Sequence, residues 1–249
     1  MARKERADVL LVNRGLCETR ARAQAMIVAG RVFSGEVRID KPGQQLLIEA
    51  PLALRGDENP YVSRGGLKLA GALASFAPQG LDVRGKVAVD VGASTGGFSD
   101  CLLQAGAAKI YAVDVGWGQL HPKLRGDPRV VVRERTNAKA LELADFSEPV
   151  GLVVVDASFI GIGQLMPAIA RFSPVGAELC AMIKPQFEAG REEARKARGV
   201  IRDEAVRSAA IAGATAAIVE HGFDLIATCD SGLAGPRGNV EHFVYARRR

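Results

Sequence analysis

Cysteine is scarce in this 249-residue chain, and the four that occur are far apart. Cys17, Cys101, Cys180 and Cys229 form no CxxC pair, and no histidine stands near them at ligand spacing. That pattern argues against structural zinc, so no metal is expected and reduced thiols are the default. Long apolar runs are missing too, since none approaches the ~20 residues of a membrane span. No apolar signal core follows Met1-Ala-Arg-Lys-Glu-Arg6, so the chain reads as soluble and cytoplasmic. Net charge is only +5, so any face for an acidic partner must come from local clustering.

The most informative stretch present is Val87-Ala-Val-Asp-Val-Gly-Ala-Ser-Thr-Gly-Gly-Phe98. A valine-rich run that ends in an acid and then a glycine loop is how a buried parallel strand hands over to a helix. The crevice at such a turn is where open α/β sheets bind ligands.

The first sixty residues differ in texture from the rest. Ala7–Gly15 reads as a short helix stopped by glycine, and Thr19 as the cap of a second helix running to Gly30. Arg31-Val-Phe and Glu36-Val-Arg-Ile read as a hairpin across Ser34-Gly35, and Leu46-Leu-Ile-Glu as a further strand. Seven basic residues (Arg3, Lys4, Arg6, Arg14, Arg20, Arg22, Arg31) face three acids before residue 32. On composition alone this is a solvated helix face. Gly56-Asp-Glu-Asn-Pro60 has the punctuation of a linker, which divides the chain into 1–59 and 60–249.

Ser63 is expected to cap a helix with Leu67, Ala70, Leu73 and Ala74 on its apolar face. Strands are expected at 87–91, 110–113, 130–132, 152–155, 179–183, 225–228 and 243–246, with helices between most of them, notably 204–221. The alternation predicts a doubly wound, largely parallel sheet.

Gly92 and Gly97 fit the ends of a dinucleotide fingerprint, but Ser94 holds its middle position, and no Gly-Lys-Ser/Thr follows for a P-loop. What remains is Asp-x-Gly-x-x-x-Gly-Gly, with Asp114 closing the next strand. A carboxylate there suits a ribose diol. With a ribose to hold and no phosphate to cradle, S-adenosylmethionine fits better than NAD. A turn needed only for close packing is the alternative.

Further motifs follow in order: Tyr61-Val-Ser-Arg-Gly-Gly-Leu-Lys-Leu69, Val113-Asp-Val-Gly-Trp-Gly-Gln-Leu120, Glu134-Arg-Thr-Asn137, Val155-Asp-Ala-Ser-Phe-Ile160, Ile183-Lys-Pro-Gln-Phe-Glu188 and Gly235-Pro-Arg-Gly-Asn-Val-Glu241. Taken with the glycine loop, they resemble the TlyA (hemolysin A) family over nearly the whole chain. The resemblance implies a small N-terminal α+β S4-type RNA-binding domain, followed by a Rossmann-like class I FtsJ/RrmJ-type methyltransferase sheet. It also implies S-adenosylmethionine-dependent 2′-O-methylation of ribosomal RNA, at cytidine, by a catalytic set on Lys68, Asp156, Lys184 and Glu241.

A ribose hydroxyl must lose its proton as it attacks a methyl group, and a lysine can assist. Lys184 is then the expected general base, positioned by Asp156 and Glu241, with Lys68 holding the hydroxyl or its phosphate. Taken alone, Lys68 reads as a solvent-facing helical lysine and Glu241 as a surface carboxylate. The expected cofactor contacts are Asp90, Gly92, Ala93, Ser94, Thr95, Gly96, Gly97, Phe98, Asp114, Val115, Asn137 and Asp156. Trp117 and His121 stand equally for the pocket border and for packing or exposed loop positions. The resemblance turns the seven basic residues, together with Arg64, into an expected RNA-binding face. The end at Arg247-Arg248-Arg249, directly after the last strand, leans toward the large-subunit RNA as target. Two other functions compete: a membrane-active hemolysin, opposed by the missing spanning run, and a non-catalytic ribosome assembly factor, opposed by the intact tetrad.

Overall fold

Valine-rich strands with no polar alternation belong in a sheet covered on both faces, and the computed structural model of the chain places them there. It describes residues 3–28, 30–55, 59–190, 193, 195, 197, 199–235 and 238–249. The chain divides into two compact units, Met1–Glu58 and Asn59–Arg249. Part of the expected linker, residues 56–58, lies outside the described residues.

The first unit is a small α+β module. Strand β1 (Lys4–Arg6) runs straight into helix α1 (Ala7–Asn13), which Gly15 terminates at φ +69°. Helix α2 (Arg20–Val28) follows, and the Thr19 hydroxyl accepts a hydrogen bond from the Arg22 amide at 3.2 Å. Strands β2 (Val32–Ser34) and β3 (Val37–Arg38) pair antiparallel around Gly35-Glu36, one residue beyond the expected turn, with Gly35 at φ +58°. β4 (Gln45–Leu47) pairs with β1, and β5 (Leu52–Leu54), which the sequence did not announce, pairs with β2. Ala7, Leu11, Ala23, Met26, Ile27 and Val32 are among the residues forming its core.

The second unit is built on a seven-stranded sheet. Its strands are β6 (Val87–Val91), β7 (Lys109–Val113), β8 (Val130–Arg133), β9 (Leu152–Val155), β10 (Glu178–Ile183), β11 (Phe223–Asp230) and β12 (His242–Arg248), in the order β11-β12-β10-β9-β6-β7-β8. The five from β10 to β8 run parallel, while β12 and β11 add antiparallel at one edge. Side chains alternate between two cores: Ala88, Leu152 and Val154 point into one, and Val89, Val91, Val153 and Val155 into the other. Each fully buried valine contributes about 1.5–3 kcal/mol.

Helices α3 (Arg64–Phe76) and α4 (Gly97–Gln104) contribute Leu69, Phe76 and Leu102 to the first core. Helix α5 (Pro122–Arg125) follows β7, and α6 (Met166–Phe172), α7 (Pro185–Glu188) and α8 (Glu204–Glu220) complete the set used below. The apolar face expected for α3 is corrected. Its buried positions are Gly66, Lys68, Leu69, Ala72 and Phe76, whereas Leu67 and Ala74 are exposed. Phe76, stacked at 5.6 Å on Tyr245, fixes that rotation and turns Lys68 inward. Among the described residues, no helix is long and apolar enough to cross a membrane.

From β6 the chain moves to β7 on one side and later to β9 on the other. The switch point of the sheet therefore lies between β6 and β9, where a doubly wound fold opens its ligand crevice.

Candidate active site

The glycine loop leaves β6 at Gly92, whose φ of +88° suits glycine alone. A Cβ there would stand 2.8 Å from the Asp156 carbonyl oxygen, so the loop lies directly against the end of β9. The amides of Gly92 and Ala93 donate to the Val113 carbonyl at 2.9 and 3.1 Å. Asp114 clamps the turn: its Oδ2 accepts from the Ser94 amide at 2.8 Å and its Oδ1 from the Gly116 amide at 2.7 Å. Ser94 itself sits at φ +48°.

Asp90 is placed differently from its expected role. It is fully buried beneath the loop and does not line the cleft. Its Oδ2 accepts from the Ser99 hydroxyl at 2.7 Å, and its Oδ1 has no partner among the described residues. Burial pushes its carboxyl up to about 7; the Ser99 hydrogen bond opposes this, and the charges of Asp156 and Asp114 add to it.

A cleft of about 970 Å³ opens beside the loop. Gly92, Ala93, Ser94, Thr95, Gly97, Phe98 and Asp156 line it together with Arg64, Lys68, Lys184 and Glu241. Gly96, Asp114, Val115 and Asn137 do not. Val115 is exposed beyond β7, and Asn137 is exposed with its side chain capping a short 3-10 turn through the Lys139 amide at 3.1 Å. These two sit on the β7–β8 side of the loop, outside the enclosed part of the crevice. Trp117 is 69% exposed under the Arg135 guanidinium, and the exposed His121 accepts from the Lys123 amide at 3.2 Å.

The four polar residues named from sequence converge in the cleft as two lysine–carboxylate pairs. Lys68, 9% exposed on the inner face of α3, is ion-paired with the buried Glu241 just before β12. Lys184, which closes β10, meets Asp156 Oδ1 at 2.5 Å and donates to the Ser158 hydroxyl at 2.8 Å and the Asp156 carbonyl at 3.3 Å. Glu241 thus stands on Lys68 and not on Lys184. Pro185 starts α7 directly after Lys184, so the chain turns away and the lysine remains at the strand end.

Two residues that the sequence reading did not single out shape this cleft. Asn239, buried, donates from Nδ2 to the Gly199 carbonyl at 2.9 Å and accepts the Ile201 amide on Oδ1 at 2.9 Å, which pins the loop bearing Glu241. Phe159 is 90% exposed at the cleft wall, at φ +66°, with its ring centroid 5.1 Å from that of Phe187. A phenylalanine that is both left-handed and exposed is costly, and such strain clusters at functional sites. Its signal in the sequence was its place in the strand-end motif Val155–Ile160, three residues after Asp156. Pro236 and Arg237 of the Gly235–Glu241 motif lie outside the described residues.

In the first unit the basic residues are not equivalent. Arg3, Lys4 and Arg22 are exposed, and Arg31 makes a long 3.5 Å contact to the Arg55 carbonyl. Arg14 is occupied: its guanidinium donates to the carbonyls of Ile48 and of Ala50, the latter at 2.6 Å. Arg14 is exposed, and one N–H from each terminal nitrogen closes the unit on itself. Arg6 and Arg20 share the buried carboxylate of Asp8.

Fold and cleft together define a methyltransferase-type α/β domain, with a crevice at the switch point and a glycine loop on its wall. Residues 61–248 match the FtsJ-like methyltransferase model, and residues 5–50 match the S4 domain model. A Mycobacterium tuberculosis protein named 16S/23S rRNA (cytidine-2′-O)-methyltransferase TlyA is 41% identical over 248 residues, covering 99% of this chain and 91% of that one. Hemolysin A of Brachyspira hyodysenteriae is 38% identical over 96% of this chain and 98% of its own. A solved Streptococcus thermophilus structure bearing the hemolysin name superposes with a TM-score of 0.77 at 40% identity, covering all of this chain and 90% of that one. The chain belongs to the TlyA (hemolysin A) family and is an S4-containing, FtsJ-like methyltransferase.

Proposed function

We propose that the protein transfers a methyl group from S-adenosylmethionine to the 2′-oxygen of a cytidine in ribosomal RNA. The observation that carries this reading is the convergence of two lysine–carboxylate pairs, Lys68–Glu241 and Lys184–Asp156, on one cleft walled by the glycine loop. The loop fits the cofactor: Gly92, having no side chain, lets the loop lie against the end of β9 beside Asp156, and each Asp114 oxygen that holds a loop amide keeps a second lone pair for a ribose hydroxyl. Gly92, Ala93, Ser94, Thr95, Gly97 and Phe98 would hold it, with Asp114, Val115 and Asn137 toward its nucleoside end. When bound, that cofactor supplies an activated methyl on a positively charged sulfur.

The remaining work falls to the chain's own residues. Lys184, in its neutral form, accepts the proton of the 2′-hydroxyl, and Asp156 and Ser158 hold its amine in place. Lys68, held by Glu241, binds the hydroxyl or the neighbouring phosphate. Phe159 gives the target base an aromatic face to stack on, its ring already exposed at the cleft wall. The S4-like domain, residues 1–59, docks the RNA, and the methyltransferase domain, residues 60–249, performs the transfer.

The test is transfer of labelled methyl from S-adenosylmethionine to ribosomal subunits and free ribosomal RNA, with the modified ribose mapped by primer extension. A single 2′-O-methylated cytidine is expected. Absence of transfer from protein that binds the cofactor would make it an RNA-binding factor instead.

A further inference from the structure

Among the described residues of the first unit, Asp8 is the one acid whose side chain is fully buried, at 0% exposure, two residues after Arg6 and at the start of α1. A carboxylate at that helix position ordinarily serves backbone amides. This one serves side chains instead. Its Oδ1 accepts from Arg6 Nε at 3.0 Å, and its Oδ2 accepts from Arg6 Nη2 at 3.0 Å, Arg20 Nε at 2.9 Å and Gln24 Nε2 at 2.8 Å. Those bonds hold the carboxyl well below the usual carboxylate range, the Arg6 contact foremost.

Two guanidinium groups that would repel each other are thereby held on one anion, leaving the cluster a net positive charge. Arg6 Nη1 and both terminal nitrogens of Arg20 have no partner among the described residues, and the two arginine side chains are 42% and 55% exposed. Gly43 completes the arrangement. A Cβ on it would stand 3.0 Å from Arg6 Nη1 and 3.4 Å from Arg6 Cζ, so the guanidinium occupies the space a side chain would take. Arg14 differs, with each of its terminal nitrogens on a backbone carbonyl, those of Ala50 and Ile48.

We propose that Asp8 is a positioning residue that holds Arg6 and Arg20 as a preorganised pair for RNA phosphates. The inference rests on the reading above that this unit docks RNA. An arginine fork matches phosphate geometry, and one whose rotamer is already fixed loses less freedom on binding than a free side chain.

The test is a double-mutant cycle read as RNA affinity in the full chain, with resistance of residues 1–58 to limited proteolysis as the control for folding of the first unit. Arg6→Ala/Arg20→Ala should weaken RNA binding and reduce the slope of log affinity against log salt by up to about 2. Asp8→Asn keeps the shape and removes the charge; alone it should weaken RNA binding roughly tenfold. In the Arg6→Ala/Arg20→Ala background it should add nothing. Gly43→Val, which crowds Arg6 without touching Asp8, should reproduce the loss and stands in if Asp8→Asn fails to fold. If the double arginine variant binds RNA like the wild type, the docking role of this face falls. If that variant is impaired while Asp8→Asn has no effect, or the same effect in both backgrounds, only the positioning role falls.

Discussion

Glu241 and Lys68 are 173 residues apart in sequence and form a buried ion pair in the cleft of the folded unit. Both side chains are almost out of solvent, so each depends on the other. Removing one partner of such a pair leaves an uncompensated charge, at a cost of about 3–5 kcal/mol. Glu241→Ala should therefore lower the melting temperature and abolish methyl transfer together. The apolar double variant Lys68→Met/Glu241→Leu should recover much of the stability and none of the activity, as calorimetry and the transfer assay would show.

Lys184 offers the opposite combination. It sits at a strand end against Asp156 and Ser158, outside the two hydrophobic cores. Lys184→Ala should reduce transfer by at least two orders of magnitude, the scale of a lost general base. Its affinity for S-adenosylmethionine should stay within a few-fold of wild type by titration calorimetry. Full activity in this variant would assign proton removal to another group.

Phe159 is too exposed to matter for folding, so Phe159→Ala should change stability by no more than about 0.5 kcal/mol. A stacked base is worth about 1–3 kcal/mol, which corresponds to roughly a 5- to 150-fold loss in kcat/KM for RNA. Cofactor affinity, measured in parallel, should not follow.

Asp90 predicts a pH dependence. Its carboxyl is raised to about 7 by burial, above the ordinary value of 3.8, so between these limits the folded chain holds a proton that the unfolded chain has released. Stability conferred by that proton is present at low pH and is lost as pH rises through the window, by at most about 4 kcal/mol. Asp90→Asn, which can still hydrogen-bond Ser99, should flatten the profile between pH 4 and 7 in denaturant titrations. An unchanged slope would place the titrating group elsewhere.

The strands were readable because both faces of the sheet are covered, so Leu152–Val155 appears as an unbroken apolar run and Val87–Val91 as one interrupted only by Asp90. The Gly92 turn was readable because its backbone tolerates no side chain. The inner face of α3 was misread because Leu67 and Ala74 look apolar, whereas Phe76 and Leu69 decide which side packs. Asp90 looked like a ligand contact because the sequence shows its position at a strand end but not its depth.

Local chemistry by itself determined the order of strands in the second unit, the switch-point loop and the list of polar residues at strand ends. Those signals are carried by periodicity and backbone freedom over a few residues, and by a run of motifs that resemble one family. Tertiary structure alone decided who faces whom. It put Glu241 on Lys68 and Asp156 on Lys184, set Arg14 on backbone carbonyls, and gathered Arg6 and Arg20 on Asp8. Pairings across many residues depend on packing and on the cost of burying charge, and neither is written in any short stretch of the chain.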